Sequence, residues 1–387
     1  MKKSLVALAT MTVVASAFAD VDVSGGVKIY GVLDQGYQSQ SLTNPTANTS
    51  NDYQGMYASN GTSRFGVKAS RDLGDGLKGV AQAELELAPD TATLLPSANR
   101  QSFVGLVSEK AGTLLMGTME TTAYEVWAMD VNGRVEYKPQ VWRTLASVSM
   151  QDRANNAIKY ISPEFGGFTL HLMQSFAEKA STVAVAAPTL GSANSFSEFT
   201  SVGLKYKGEN LTAAFLHDQT TYIQQGYKFA GVTNAGVSAT TVPASYNSVM
   251  LYGASGTSTT GYLEATQRDI IAFNYNIDGT ILSYIYGKSY QSGGGSNTTS
   301  TIGFRKAFDK VTVAYSYGTG VIDSKATASS IVYTLAGDGT ITDSTLGAYY
   351  NFDKSTQAYM LYSHSTSSVG YYDGVNNTFA IGARYNF

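Results

Sequence analysis

The 387-residue sequence predicts an all-β fold, a transmembrane antiparallel β-barrel of sixteen strands with short turns at one end and long connections at the other. Three observations carry this. The stretch Asn377-Thr-Phe-Ala-Ile-Gly-Ala-Arg-Tyr-Asn-Phe387 puts Phe379, Ile381, Ala383, Tyr385 and Phe387 on one parity and Ala380, Gly382, Arg384 and Asn386 on the other, the period of a strand with one apolar face. It ends on the aromatic Phe387, and such a ring suits the belt where bilayer meets water. Connections alternate strictly between short and long, and several strands confine their basic residues to one parity.

At the start, Lys2 and Lys3 precede an apolar run from Leu5 to Val14 and the small-x-small site Ala17-Phe18-Ala19, the pattern of a signal peptide over residues 1–19. The run falls short of the ~20 apolar residues of a membrane helix, so one barrel domain is expected over residues 20–387. A mean hydropathy of -0.10 does not separate a soluble chain from a barrel, because a barrel wall is apolar only on alternate residues. Composition separates them better: Gly 39, Tyr 27 and Phe 16 against Pro 7 favour aromatic-edged strands and glycine turns. The absence of Cys excludes a disulfide framework and thiolate metal sites. Without Lys2 and Lys3, 24 basic residues face 29 acidic ones, a net charge of -5, and no nucleic-acid partner is indicated.

In chain order, the first strand is expected at Val21 to Tyr37, with Val27, Ile29 and Leu33 outside and Lys28, Tyr30 and Asp34 inside. Gly61 to Arg71 and Gly76 to Ala88 form a hairpin around Leu73-Gly74-Asp75-Gly76, whose glycines can take positive φ. The grammar recurs at Asn99 to Ser108 with Gly112 to Met119, at Arg153 to Ser162 with Gly167 to Glu178, and at Phe199 to Lys207 with Asn210 to Gln219. Gly261 to Asn276 with Thr280 to Tyr290, Thr299 to Phe308 with Lys310 to Gly318, and Ile341 to Phe352 with Ser355 to Ser363 complete the set before the terminal strand. The long connections include Gln38 to Asn60, Glu120 to Asp152, Thr220 to Thr260 and Gly320 to Thr340. The low-complexity tracts Thr43 to Asn51, Gly231 to Ala244 and Ser292 to Ser300 read as loop tips. Three strands carry apolar groups on both faces: Ile281 and Ile285 against Leu282 and Tyr284, Tyr359 and Leu361 against Met360, and Leu114 and Met116 against Leu115 and Met119. For the last, an inward fold of the connection that follows would cover the inner wall.

Charge decides which face is wet. Arg64 and Lys68 alternate with Phe65 and Val67; Arg100, Ser102 and Val104 alternate with Gln101, Phe103 and Gly105; Arg153 and Lys159 oppose Ile158 and Tyr160. An Arg or Lys facing lipid costs roughly 2–4 kcal/mol at the midplane, so turning these five outward would consume a total comparable to a domain's stability of about 5–15 kcal/mol. They are expected inside, and a ring of about sixteen strands is too wide to be filled by its own side chains.

Gly61-Thr-Ser-Arg-Phe-Gly-Val-Lys68, Leu73-Gly-Asp-Gly-Leu-Lys78, Phe103-Val-Gly-Leu106 and the terminal Tyr-Asn-Phe387 resemble, in that order and spacing, strands of the Gram-negative general outer-membrane porins of beta-proteobacterial type. The resemblance covers essentially the whole chain after the signal peptide. It implies an outer-membrane location, a third loop folded into the lumen with acids opposite an arginine ladder, a last strand closed on the first, Phe387 as the residue read during assembly, and a homotrimer. In that trimer the second loop, here Pro89 to Ala98, latches onto a neighbour. By that match Arg64, Arg100 and Arg153 take the ladder positions; with Lys68 of the same wall they are the expected cationic side of the constriction, and Glu120, Glu125, Asp130 and Glu136 of the third loop are its acidic candidates. Two departures stand out: Gly117-Thr118-Met119 replaces the Gly-Arg of many relatives, leaving one ladder position without its cation, and the usual loop-tip motif is missing.

The expected function is a water-filled channel for passive diffusion of ions and small hydrophilic solutes, without catalysis or cofactor. A substrate-specific channel would show an aromatic slide, with Tyr30, Tyr349 and Tyr359 as candidates. A barrel hydrolase would need Ser, His and a carboxylate together, whereas His171, His217 and His364 are scattered, and no metal, P-loop or dinucleotide spacing occurs. An adhesive or structural barrel is the remaining alternative.

Overall fold

The computed structural model describes residues 21–44, 49–58, 63–89, 93–132, 153–176, 197–222, 265–291, 295–323, 338–368 and 374–387. The expected signal peptide lies outside them. The strands are β1 Val21–Ser24, β2 Val27–Asn44, β3 Thr49–Ala58, β4 Arg64–Gly74, β5 Leu77–Ala88, β6 Thr93–Ser108, β7 Gly112–Glu120, β8 Arg153–Ile161, β9 Phe168–Ser175, β10 Ser197–Lys207, β11 Leu211–Tyr222, β12 Ala265–Ile277, β13 Thr280–Gln291, β14 Ser296–Phe308, β15 Val311–Asp323, β16 Gly339–Asn351, β17 Thr356–Ser367 and β18 Gly374–Asn386, with a short helix α1 at Thr122–Trp127.

Sixteen of these strands close one antiparallel ring: β2, then β4 through β18 in order, with β18 returning to β2 from Val375↔Thr43 to Asn386↔Val32. Closure removes the free edges that an open sheet would leave with unpaired backbone groups. Below the last β18 pair, Gly31 N–H donates to the Phe387 carbonyl at 2.8 Å and Phe387 N–H donates to the Gly31 carbonyl at 3.1 Å. The two remaining strands are appended to β2: β1 pairs with its first residues, and β3 with Gln35–Asn44.

Those appendages correct two expectations. The first strand is broken at Gly25-Gly26, where φ of 60° and 83° makes a tight turn between β1 and β2. The first long connection is largely strand, since β2 runs on to Asn44 and β3 begins at Thr49, so the tract Thr43 to Asn51 is strand in its described residues and 45–48 lie outside them. Likewise β14 starts at Ser296, inside a tract read as loop, and β17 runs beyond the expected Ser363, through His364 to Ser367. Gly231 to Ala244 is outside the described residues.

Parity sorts the faces as the charges require. Leu33, Phe65, Val104, Ile158, Phe379 and Ile381 are exposed on the outer wall, where lipid would cover them, whereas Tyr30, Asp34, Arg100 and Lys159 are buried inside. Near the short turns the outer wall carries ring pairs, Phe168 with Tyr206 at 4.8 Å and Tyr350 with Phe352 at 4.9 Å, consistent with an interfacial aromatic belt.

Arg100 reaches the inside by a different route from the one its parity suggests. Ser102 and Val104 are exposed outward, so plain alternation would turn Arg100 to lipid with them. Between the pairs Ala83↔Ser102 and Leu85↔Asn99 there are two residues on β6 against one on β5. This β-bulge places Arg100 and Gln101 opposite Glu84, both buried, and restores the cation to the lumen.

Candidate functional site

After Glu120 the chain leaves β7 and turns into the barrel. Thr121 caps α1, its hydroxyl accepting from Tyr124 N–H at 3.2 Å. Within α1, Ala123, Val126 and Trp127 share one face by helical spacing, and that face packs on Ala214, Leu216, Ile270, Ala272 and Ile285 of β11 to β13. Further on, Asp130 accepts from Asn132 N–H at 2.8 Å, and Val131 packs on Ala314, Tyr349, Tyr359, Leu361 and Ala380. Asn132 is held by Ser316 and the Thr345 carbonyl, both at 3.1 Å, and accepts from Tyr349 OH at 2.9 Å. The segment 121–132 thus lies along the inner wall from β10 to β17, with two of the apolar clusters of the described residues between it and the strands.

This accounts for two of the three strands with apolar groups on both faces. Ile285 lies under α1 and Ile281, Tyr359 and Leu361 lie under Val131. The third case has a different cause: Leu115 and Met119 pack with Phe103, Ala157, Met173 and Phe199, which belong to the wall itself.

The four expected wall cations do not form one ladder. Arg64 and Arg100 converge on Glu84, at 3.5 and 3.1 Å; Arg100 also approaches Glu86 at 3.9 Å, and Tyr30 OH donates to Glu84 at 2.9 Å. Lys68 lies over the Tyr30 ring at 5.0 Å. Arg153 stands apart on β8, 5.8 Å from the Tyr124 ring of α1. Of the expected acids, Glu120 lies close enough to bear electrostatically on both Arg64 and Arg100. Asp130 is turned into its own loop. Glu136 is outside the described residues.

Glu125 faces the wall instead of an opposing ladder. The ammoniums of Lys159 on β8 and Lys205 on β10 both donate to its carboxylate, and His171 Nδ1 is 3.5 Å away. Burial by itself would push the Glu125 carboxyl up, but the two lysines and His171 act the other way and prevail, holding it well below the usual carboxylate range. It is therefore an ionised anchor for α1.

Several charged residues of the inner wall carried no expectation. Glu84 and Glu86 share the inward parity of β5, a signal available in the sequence. Arg268 and Asp218, both fully buried, pair at 3.1 Å through Nε, and the guanidinium stacks on Trp127 at 5.1 Å. Arg305 donates to the Val131 carbonyl at 3.2 Å and lies 5.1 Å over the Tyr349 ring. Asp34, expected inside, does lie there and receives Arg384 Nε and Tyr359 OH, each at 2.8 Å. Tyr30, Tyr349 and Tyr359 are therefore buried with their hydroxyls committed, which speaks against the aromatic slide that a substrate-specific channel would show. His171 is buried beside Thr169 and Glu125; His217 pairs with Asp269 and His364 with Asn377, each at 2.7 Å.

Comparison with known proteins bears on the fold and the family. The chain is 31% identical over 188 residues to the major outer membrane protein P.IA of Neisseria meningitidis, which covers 44% of this chain and 45% of that protein. It is 28% identical over 220 residues to outer membrane porin protein 32 of Delftia acidovorans, covering 55% and 58%. The chain thus spans about half the length of the curated relatives it matches. Among solved structures it is similar to an anion-selective porin from Comamonas acidovorans, with a TM-score of 0.64 at 20% identity over 93% of this chain and 99% of that one. The relatives are outer-membrane proteins, and the belt of outward apolar side chains around a closed ring puts this chain in the outer membrane too. With residues 4–370 matching the family model of the Gram-negative porins, the chain belongs to that family.

Proposed function

We propose that the chain forms a water-filled channel for passive diffusion of ions and small hydrophilic solutes across the outer membrane. The observation that carries this is the closed ring of sixteen strands with its charged groups turned inward. Such a ring encloses more space than its own wall side chains fill. The charged cluster Arg64–Glu84–Arg100 with Glu120, and Arg153 against Tyr124, forms the candidate constriction beside the root of the inward segment. Lys68, Glu125, Asp130 and Glu136 are secondary candidates; of these, Glu125 supports the loop more than it meets solute. No step of this function calls for catalysis.

Three further readings rest on the family resemblance: residues 1–19 are an export signal, Phe387 marks the closing strand for assembly, and the barrel associates as a homotrimer through the region of Pro89 to Ala98. Planar-bilayer recording tests the channel. Purified protein is expected to produce uniform conductance steps, and Arg100→Glu is expected to shift the reversal potential in a salt gradient toward cation preference, since it leaves three carboxylates beside Arg64. Folded, inserted protein that passes no current refutes the channel; an unmoved potential refutes the place of Arg100 in the constriction.

A further inference from the structure

The inner wall holds glycines of two kinds. At Gly66, Gly347 and Gly382 the space of an absent side chain is taken by wall tyrosines: a Cβ there would lie 2.4 Å from the Tyr30 ring, 2.5 Å from the Tyr349 hydroxyl and 2.3 Å from the Tyr359 hydroxyl. Gly203 on β10 and Gly303 on β14 differ, because what lies over them is the inward segment. A Cβ on Gly203 would sit 2.7 Å from Thr122 Cγ2, and one on Gly303 would sit 2.5 Å from Val131 Cγ2. Both glycines have inward parity, between the exposed Val202 and Leu204 in one case and Ile302 and Phe304 in the other. They also fall under the two ends of the segment, at the first residue of α1 and just past its last turn.

We propose that Gly203 and Gly303 are calibre-determining residues of the channel. They are seats in which the segment 122–131 lies flush with the wall, and the missing side chains leave to the solute the width that the segment would otherwise occupy. Carbon atoms prefer a separation of about 3.5–4.0 Å, so a methyl group at position 203 displaces the start of α1 toward the axis by roughly 1 Å. The other neighbours of that methyl, His171 Cβ and Leu216 Cδ1, would be at an ordinary 3.6 Å, so the strain falls on the segment and not on the wall. Position 303 is less clean, because its Cβ also meets Ser283 Oγ at 2.8 Å. The inference rests on the channel reading above and assigns the residues that set its size limit.

Gly203 offers a test by complementation. Thr122 Oγ1 is buried and has no hydrogen-bond partner among the described residues, so Thr122→Ala removes the offending methyl without breaking a hydrogen bond among them. Full-length parent, Gly203→Ala, Gly203→Val, Thr122→Ala and the Gly203→Ala/Thr122→Ala double variant are compared for single-channel conductance and for the largest neutral polyethylene glycol that enters the pore. The expected result is a loss of conductance and of size limit that deepens from Ala to Val and is reversed in the double variant. A Gly203→Ala channel indistinguishable from the parent overturns the proposal, as does a double variant no better than Gly203→Ala, which would make the glycine a requirement of the strand alone. If Gly203→Ala does not form a barrel, by its heat-dependent mobility in detergent, the double variant must restore one, and failure to do so overturns the proposal. A parent that inserts folded but carries no current defeats the channel reading instead; the seat is then judged by whether the double variant recovers the parent's unfolding midpoint.

Discussion

Glu125 gathers Lys159, Lys205 and His171 from three adjacent strands, and its role follows from what those partners lose without it. Glu125→Gln keeps the shape and removes the charge, leaving two ammoniums, one of them on the nearly fully buried Lys159, facing each other across an amide. The expected destabilisation is on the order of 2 kcal/mol, the scale of hydrogen bonds to charged groups, read from urea unfolding in detergent. Adding Lys205→Met to that variant is expected to recover part of the loss, because it removes the like-charge pair. The pH dependence has a definite sign. A carboxyl whose folded pKa is lowered contributes its full stabilisation above its unfolded pKa of about 4.3 and surrenders it only as pH falls through the lower folded value. The anchoring of α1 by Glu125 should accordingly persist unchanged from neutral pH to about pH 4, with no increase in open-channel noise over that interval; noise that rises between those limits contradicts the ion-paired geometry.

Single elements show what the sequence discloses and what it withholds. The period-two alternation of β15 to β18, the glycine turns at Gly74-Asp75-Gly76 and Asp278-Gly279, and the inward parity of Arg64, Lys68 and Lys159 are local, so they are legible residue by residue. The bulge at Arg100 and Gln101 is not, because one extra residue shows only against the partner strand, and no local rule distinguishes it from an ordinary step. The anchor of α1 escapes for a related reason: Glu125 and Lys205 are separated by 80 residues of chain and meet only once the ring has closed. The bulge supports a prediction at its own scale. Deleting Gln101 removes the extra residue while leaving Arg100 inward and Ser102 outward, so the barrel and the Arg100–Glu84 contact should survive. Inserting one alanine between Gln101 and Ser102 should instead disturb the register, at a cost approaching the roughly 2–4 kcal/mol of a cation turned to lipid. The two unfolding midpoints, compared side by side, decide between the bulge and a plain ladder.

Across the whole molecule, barrel and inward segment form one folding unit, and the distribution of apolar groups says why. A ring of this width cannot fill its lumen with its own side chains, yet Ala214, Leu216, Ile270, Ala272 and Ile285 are buried there, because Ala123, Val126 and Trp127 cover them; Val131 does the same for Ala314 and Leu361. Trp127 also caps the guanidinium of Arg268, whose pairing with Asp218 is fully enclosed. The segment is therefore more than a plug inside a self-sufficient cylinder. Excising residues 122–132 and bridging the gap with glycine and serine should do more than widen the pore: it exposes an apolar strip of wall and uncovers a buried ion pair. With about 1.5–3 kcal/mol for each of Val126, Trp127 and Val131, the expected loss is on the order of 5 kcal/mol, seen as a clear fall in the unfolding midpoint in detergent together with a higher and noisier conductance. If the excised protein instead unfolds at the parent's midpoint and merely conducts more, wall and segment are energetically independent, and the lumen-facing clusters contribute nothing to holding the barrel together.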